Sequence, residues 1–290
     1  MSPTLVFDED LVANRRLRAM RKGTPGADFL VDVAARELCE RLEAVERRFE
    51  RAVELHGYTG AAAKALIASG KVGSVLRVET HAELLEGWTD QAIRPLEQLG
   101  MEAGSADLIV SPLSLHLTND TPGTLIQIAR ALSPDGLFLA AIPGGNTLTE
   151  LREALLAAES ELTGGASPRV IPFMDVRAAG QLLQRAGLAL PVADVESLTV
   201  RYDTMFDLMR DLKAMGMANP LVNRSRKPLA RSVFLRAAEL YADRFSDADR
   251  RVRATFDIVY LSGWKPHESQ QKPLKPGSAE VSLARILGNG

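Results

Sequence analysis

The segment Ala106-Asp107-Leu108-Ile109-Val110-Ser111 is short, almost wholly apolar, and followed by a helix-patterned stretch at 121–132. A run of that length with so little polar alternation suits a strand covered on both faces, which is the environment of a parallel sheet. Its neighbours repeat the theme. Residues 52–55, 72–78 and 137–142 read as strands, and residues 61–68, 82–85 and 121–132 as helices. Ser133-Pro134-Asp135-Gly136 is the turn before the strand at 137–142, with Pro134 fixing φ and Gly136 supplying a positive φ. Strands alternating with helices predict an α/β fold with a doubly wound, Rossmann-like sheet.

After Pro143-Gly144-Gly145 the rhythm changes. Helices are expected over 148–162, 176–186 (stopped by Gly187), 205–215 and 228–245, with Pro228 in the first turn of the last. Strands are expected over 192–200 and 252–261, the latter alternating as though one face were wetter, and 266–277 reads as loop. Near the start, Arg15, Arg16, Arg18, Arg21 and Lys22 form a basic run. It reads either as a solvated helix face or as an arm folded over an active site. Asp28 stands where it would cap the next helix. The expected organisation is a helical arm at 1–48 and an α/β domain at 49–290, with 144–250 contributing cap helices.

The 290 residues are 46% hydrophobic and 25% charged, an ordinary globular composition. With 35 basic and 37 acidic residues the formal charge is -2, so no global field favours nucleic acid. Cys39 is the single cysteine, which excludes an intramolecular disulfide and reads as a small buried hydrophobe. Leu5-Val6-Phe7 runs straight into Asp8-Glu9-Asp10 without the apolar core of a secretory signal. No run approaches the ~20 apolar residues of a membrane span. The expected location is therefore cytoplasmic.

Doubly wound sheets bind ligands beyond the carboxyl ends of their strands. The first such turn reads Glu54-Leu55-His56-Gly57-Tyr58-Thr59-Gly60. Small residues there let a backbone approach a nucleotide-type ligand, and an acid before the turn can pair with a ligand ammonium. Glu79 ends the second strand, where a carboxylate would meet ribose hydroxyls. Asp90-Gln91 follows as a polar pair for an adenine edge, and Ser111 closes the apolar strand.

On these residues the chain resembles a family of class I S-adenosylmethionine-dependent methyltransferase fold. That family includes the mitochondrial respiratory complex I assembly factor assigned as a protein arginine hydroxylase. More distantly the chain resembles the malonyl-carrier-protein methyltransferases of biotin synthesis. The resemblance rests on Phe7-Asp8 with the basic run, Asp107 to Ser111, Ser114-Leu115-His116, Asn119-Asp120 and Leu132 to Gly136. It continues through Gly144 to Arg152, Gly164 to Pro168, Met205 to Met209 and Gly263 to Gln270. It implies a seven-stranded sheet whose last strand, 252–261, is antiparallel. It also implies a donor site for S-adenosylmethionine formed by Glu54, Gly57, Gly60, Glu79, Asp90, Gln91 and Ser111. Arg15, Arg16, Asn146, Trp264 and His267 would border the acceptor. The departure is at the first turn, where His56 and Tyr58 stand at positions that are glycine in the family pattern. Either these side chains intrude on the donor, or Gly57 shifts the turn by one residue and restores the approach.

His116 lies just past a strand end, within reach of a catalytic base's task, or else packs beneath a lid. Among His56, His81, His116 and His267 no His-x-Asp/Glu pair has a later partner for a non-haem iron site. The leading expectation is methyl transfer, which asks mainly for alignment in a dry site. The rivals are arginine hydroxylation of a complex I subunit and a non-enzymatic assembly factor that kept the fold. A nicotinamide-dependent enzyme is disfavoured, because Gly-x-Gly-x-x-Gly is absent from the first turn.

Overall fold

The computed structural model describes residues 5–270. The order is α1 (Glu9–Lys22), α2 (Phe29–Glu43), β1 (Phe49–Leu55), α3 (Ala61–Ala68), β2 (Val72–Glu79), β3 (Gln91–Ile93), β4 (Ala106–Pro112), α4 (Thr121–Ala131) and β5 (Leu132–Pro143). There follow α5 (Thr149–Thr163), α6 (Val176–Arg185), β6 (Ala189–Tyr202), α7 (Met205–Ala214), α8 (Arg231–Phe245) and β7 (Val252–Trp264). The described residues form one seven-stranded sheet ordered β3-β2-β1-β4-β5-β7-β6. β1 pairs in parallel with β2 and β4, β2 with β3, and β4 with β5, while β7 is antiparallel to both β5 and β6. The expected α/β sheet with an antiparallel 252–261 strand is what forms.

The strand order reverses between β1 and β4, which pair in parallel, so the crevice of this sheet opens beyond their carboxyl ends. β4 is buried at all but one position, as its apolar run demands. One core cluster joins α2, α3, α5, α7 and α8 to one face, around Leu38, Leu108, Leu139 and Phe256. A second joins α4 and α6 to the other, around Ile109, Ile128, Phe138 and Leu183. Cys39 is buried, its thiol donating to the Ala65 carbonyl.

Several local expectations are corrected. Asp28 occupies the N-cap position of α2 without making a side-chain cap bond. The last long helix starts at Arg231 rather than at Pro228. β7 is buried on both faces through its middle, because α5 and α8 cover one face and α6 the other. Residues 133–136, expected as a turn before the strand, lie within β5 at a shift of register against β4, and the positive φ there belongs to Asp135. Gly136 is needed instead for close approach, since a Cβ there would meet the Ser133 carbonyl at 2.9 Å and the Asp107 carbonyl at 3.1 Å. The part of the expected loop beyond residue 270 lies outside the described residues. Among the described residues no helix is long and apolar enough to cross a membrane.

Candidate functional site

The β1 loop leaves the sheet with alternating left-handed residues: His56 at φ 52°, Tyr58 at φ 60° and Gly60 at φ 72°. Gly57 is not among them, so the turn has not shifted by one residue. Two side-chain-bearing residues hold the conformation that glycine adopts freely. Gly57 is required for another reason: a Cβ there would sit 2.5 Å from the Glu54 carboxylate. Gly60 is required because a Cβ would lie 2.8 Å from the Arg77 guanidinium carbon.

Glu54 and Glu79 are both fully buried at the ends of β1 and β2. Glu54 accepts the Ala63 amide at 2.9 Å in the first turn of α3 and the Arg77 Nε–H at 2.5 Å. Arg77 lies inside β2, 1% exposed. It also donates to the Leu84 and Tyr58 carbonyls, and Trp88 stacks on it at 5.1 Å. The single charge in Val75-Leu76-Arg77-Val78 was the sequence signal for this residue, and sequence reasoning passed over it. Glu79 accepts the Tyr58 amide at 2.6 Å through Oε1, while its Oε2 has no partner. Facing that oxygen at 3.9 Å is Nδ1 of His56, beyond hydrogen-bond reach, and neither nitrogen of this ring has a partner. Burial, helped by Arg16, pushes the His56 imidazole down to about 3. Burial pushes the Glu79 carboxyl up to about 7 against the pull of Arg16. Both groups thus lean towards their neutral forms.

Ser111, fully buried, bonds Ser114 Oγ at 2.7 Å, and Ser114 donates to the Leu55 carbonyl. That pair ties β4 to β1. α1 lies over the loop as an arm, with Leu17, Ala19 and Met20 against Tyr58 and Leu84. Arg16 reaches inward and donates to the His56 carbonyl at 3.4 Å and the Leu113 carbonyl at 3.1 Å. Arg15 donates to Ala218 at 2.7 Å. Asn119 holds the start of the arm by accepting from the Val6 and Phe7 amides at 2.8 Å, while Asp120 caps α4 through the Gly123 amide. The basic run is therefore divided: Arg15 and Arg16 turn inward over the crevice, while Arg18, Arg21 and Lys22 stay on the solvated face.

Beneath the arm lies an apolar cavity of about 250 Å³. α1, the β1 and β4 turns, α5 and α7 supply Val12, Arg16, Tyr58, Leu113, Leu151 and Leu212 among its walls. His116 lines it as well, against Phe173, with Nδ1 partnerless. Burial holds this imidazole down to about 3, so it is a neutral hydrogen-bonding group and a poor base. A larger groove, about 840 Å³, runs past Thr24, Asp28, Thr59, Lys64, Glu86 and Trp88.

Five expected positions do not join the site. Asp90 and Gln91 are exposed at the amino end of β3, where Gln91 pairs with Arg77. Asn146 is exposed in the turn before α5. Trp264 pairs with Leu137 at the start of β5, and His267 is exposed beyond it, its Nδ1 on Ser269. Because β7 runs antiparallel, its carboxyl end emerges at the end of the sheet opposite the crevice.

The residues at the donor position do not fit S-adenosylmethionine as they stand. Glu54 is already held by the Ala63 amide and Arg77, and the side chains of His56, Tyr58 and Arg77 are buried around it at the ends of β1 and β2. Among the described residues no three His, Cys, Asp or Glu side chains converge as metal ligands.

The methyltransferase-domain family matches residues 56–140. The human mitochondrial arginine-hydroxylase NDUFAF5 is 36% identical over 288 residues, covering 97% of this chain and 83% of that protein. The protein of the same name from Dictyostelium discoideum is 45% identical over a shorter stretch, 65% of this chain and 43% of its own length. The malonyl-[acyl-carrier protein] O-methyltransferase of Laribacter hongkongensis is 31% identical over 84% of this chain and 87% of that protein. Among solved structures, the YcgJ protein of Bacillus subtilis covers 80% of this chain and 99% of its own at a TM-score of 0.55 and 16% identity. The expected cytoplasmic location is overturned by the NDUFAF5 relatives, which are mitochondrial proteins by name. With this coverage and identity, the chain belongs to the class I methyltransferase-fold family of the arginine-hydroxylase NDUFAF5 proteins, with the malonyl-[acyl-carrier protein] O-methyltransferases as more distant members.

Proposed function

We propose that this chain acts on an arginine-bearing segment of a partner protein, as a maturation factor built on the methyltransferase fold. The observation that carries this reading is the groove of about 840 Å³ beside the buried Glu54–Arg77 pair. Asp28 and Glu86 line it, and among the described residues neither carboxylate takes part in an ion pair. The Asp28 carboxyl is pushed up by burial and by Asp32, a state that an arriving guanidinium relieves. Trp88 adds an aromatic face to the same wall. The relatives named arginine-hydroxylase support arginine as the residue acted on. The family resemblance favours a respiratory complex I subunit as the partner. In this reading Arg77 and Glu54 replace a ligand's charges with an internal pair.

The test is calorimetry with an arginine-containing decapeptide and its citrulline counterpart. The arginine peptide should bind, and Asp28→Asn with Glu86→Gln should abolish the difference between the two. Equal binding of the citrulline peptide to the unmodified protein would refute the proposal.

Methyl transfer from S-adenosylmethionine is the second reading, and two observations favour it. The β1 loop keeps the left-handed alternation of a glycine-rich turn, and Glu79 Oε2 is a buried acceptor without a donor. In this reading the arm and the His56 ring move, and Glu79 receives the ribose hydroxyls. Stabilisation of the protein by S-adenosylhomocysteine would support it, and no binding at millimolar ligand would remove it.

A further inference from the structure

We propose that the apolar cavity beneath α1 binds a medium-chain carboxylate, its acyl chain among the leucines and its carboxylate on Arg16. This inference does not depend on the arginine-segment reading, because it concerns the other cavity and an anionic ligand.

Three observations carry it. The first is the wall: Val12, Leu30, Leu113, Leu151, Leu155 and Leu212 form a hydrocarbon lining. The second is the charge. Arg16 stands in that lining and bonds only to the His56 and Leu113 carbonyls. Among the described residues it has no carboxylate in an ion pair, although Arg169 on the same wall is matched by Glu159 at 2.6 Å. A guanidinium held on neutral acceptors in an apolar setting is an anion site awaiting its counter-charge. Burial works against its positive charge, with Glu79 the main opposing influence. The third is His116, whose Nδ1 is buried without a partner on the same cavity and can donate a second bond to a carboxylate oxygen.

The dimension sets the chain length. About 250 Å³ holds roughly eight water-sized groups, the bulk of an eight-carbon chain. Asp28, the one acid on this wall, is exposed and shared with the neighbouring groove, while Arg16 is part-buried. The inner end therefore favours an anion, and the outer end does not.

The probes are octanoate and 1-octanol, titrated by calorimetry into the full chain. Octanoate should bind about tenfold more tightly than octanol, the discrimination typical of one hydrogen-bonded charge pair. Arg16→Met, which keeps the aliphatic stem, should erase that ratio while leaving octanol binding in place. Should that variant fail to fold, carboxyl-labelled octanoate on the unmodified protein gives a separate readout. The bound carboxyl should titrate below the free acid, because a guanidinium favours its ionised form. Equal affinity for the two probes, absence of octanoate binding at millimolar concentration, or a bound carboxyl that titrates at or above the free value would each overturn the proposal.

Discussion

Replacing His56 by glycine should leave the protein nearly as stable as before, although the side chain is 2% exposed. The φ of 52° places it in the left-handed region, which disfavours a Cβ by about 1–2 kcal/mol. Both ring nitrogens are buried without partners, a further penalty of about 1–3 kcal/mol that glycine removes. Against these stand the lost packing, about 2–5 kcal/mol for a large-to-small change in a core, and glycine's extra chain entropy of about 0.5–1 kcal/mol. The terms nearly cancel, and the net change should lie within about 1 kcal/mol. His56→Ala isolates the backbone contribution, since it removes the ring but keeps the Cβ. Glycine should exceed alanine by about 0.5–1 kcal/mol, the left-handed relief less the entropy. Urea unfolding at unchanged slope measures both variants. Alanine proving the more stable, or a loss above about 2 kcal/mol for glycine, would refute the reading of this loop as a glycine turn held under strain. The double variant His56→Gly/Tyr58→Gly, titrated with S-adenosylhomocysteine, then asks whether those side chains are what closes the donor position.

Glu79 ionises near 4.5 when unfolded and at about 7 in the fold, so its favourable contribution is complete below 4.5 and is lost as pH rises to 7. Glu79→Gln should remove that loss, a gain at pH 7 of up to about 3 kcal/mol relative to acid pH; an unchanged pH–stability curve from 4.5 to 7 would contradict it. His56 and His116 act in the opposite sense. Their stabilising effect is present above 6.5 and fades as pH falls towards 3, so acid unfolding should begin in that window. Arg77→Met should destabilise by about 3–5 kcal/mol, because Glu54 and Glu79 are left buried without their cation, and adding Glu54→Gln should recover part of the loss in thermal melts. Asp120→Ala should remove the α4 cap at about 1 kcal/mol. Asn119→Ala should instead speed amide exchange along α1, whose preceding strand it clasps.

The arrangement of strands and helices was legible because periodicity is a local property. The apolar run of β4 and the alternation around it required a parallel sheet, and the family blocks placed the antiparallel strand correctly. Glu54, Gly57, Gly60, Glu79 and Ser111 do gather at the β1–β4 end of the sheet, where strand order alone puts them. The arm over the crevice was one of two readings of the basic run. Only the tertiary contacts of Arg16 with His56 and Leu113 showed that each holds for part of the run.

What failed to transfer from sequence did so for identifiable reasons. Trp264 and His267 belong to a family block, but a block says nothing about which end of the sheet it emerges from, and the antiparallel course of β7 carries them to the end away from the crevice. Asp90 and Gln91 have suitable chemistry, yet β3 starts with Gln91, so they lie at the strand's amino end rather than beyond its carboxyl end. Glu54 looked like a ligand-binding acid until Arg77, 23 residues away, took its oxygen. The sequence by itself determined the elements and the end of the sheet where a site would lie, because side-chain period and turn chemistry act over a few residues. The tertiary structure alone decided how Glu54, Glu79 and Arg16 are partnered, because partnering of buried charges depends on side chains that meet only after the chain has folded.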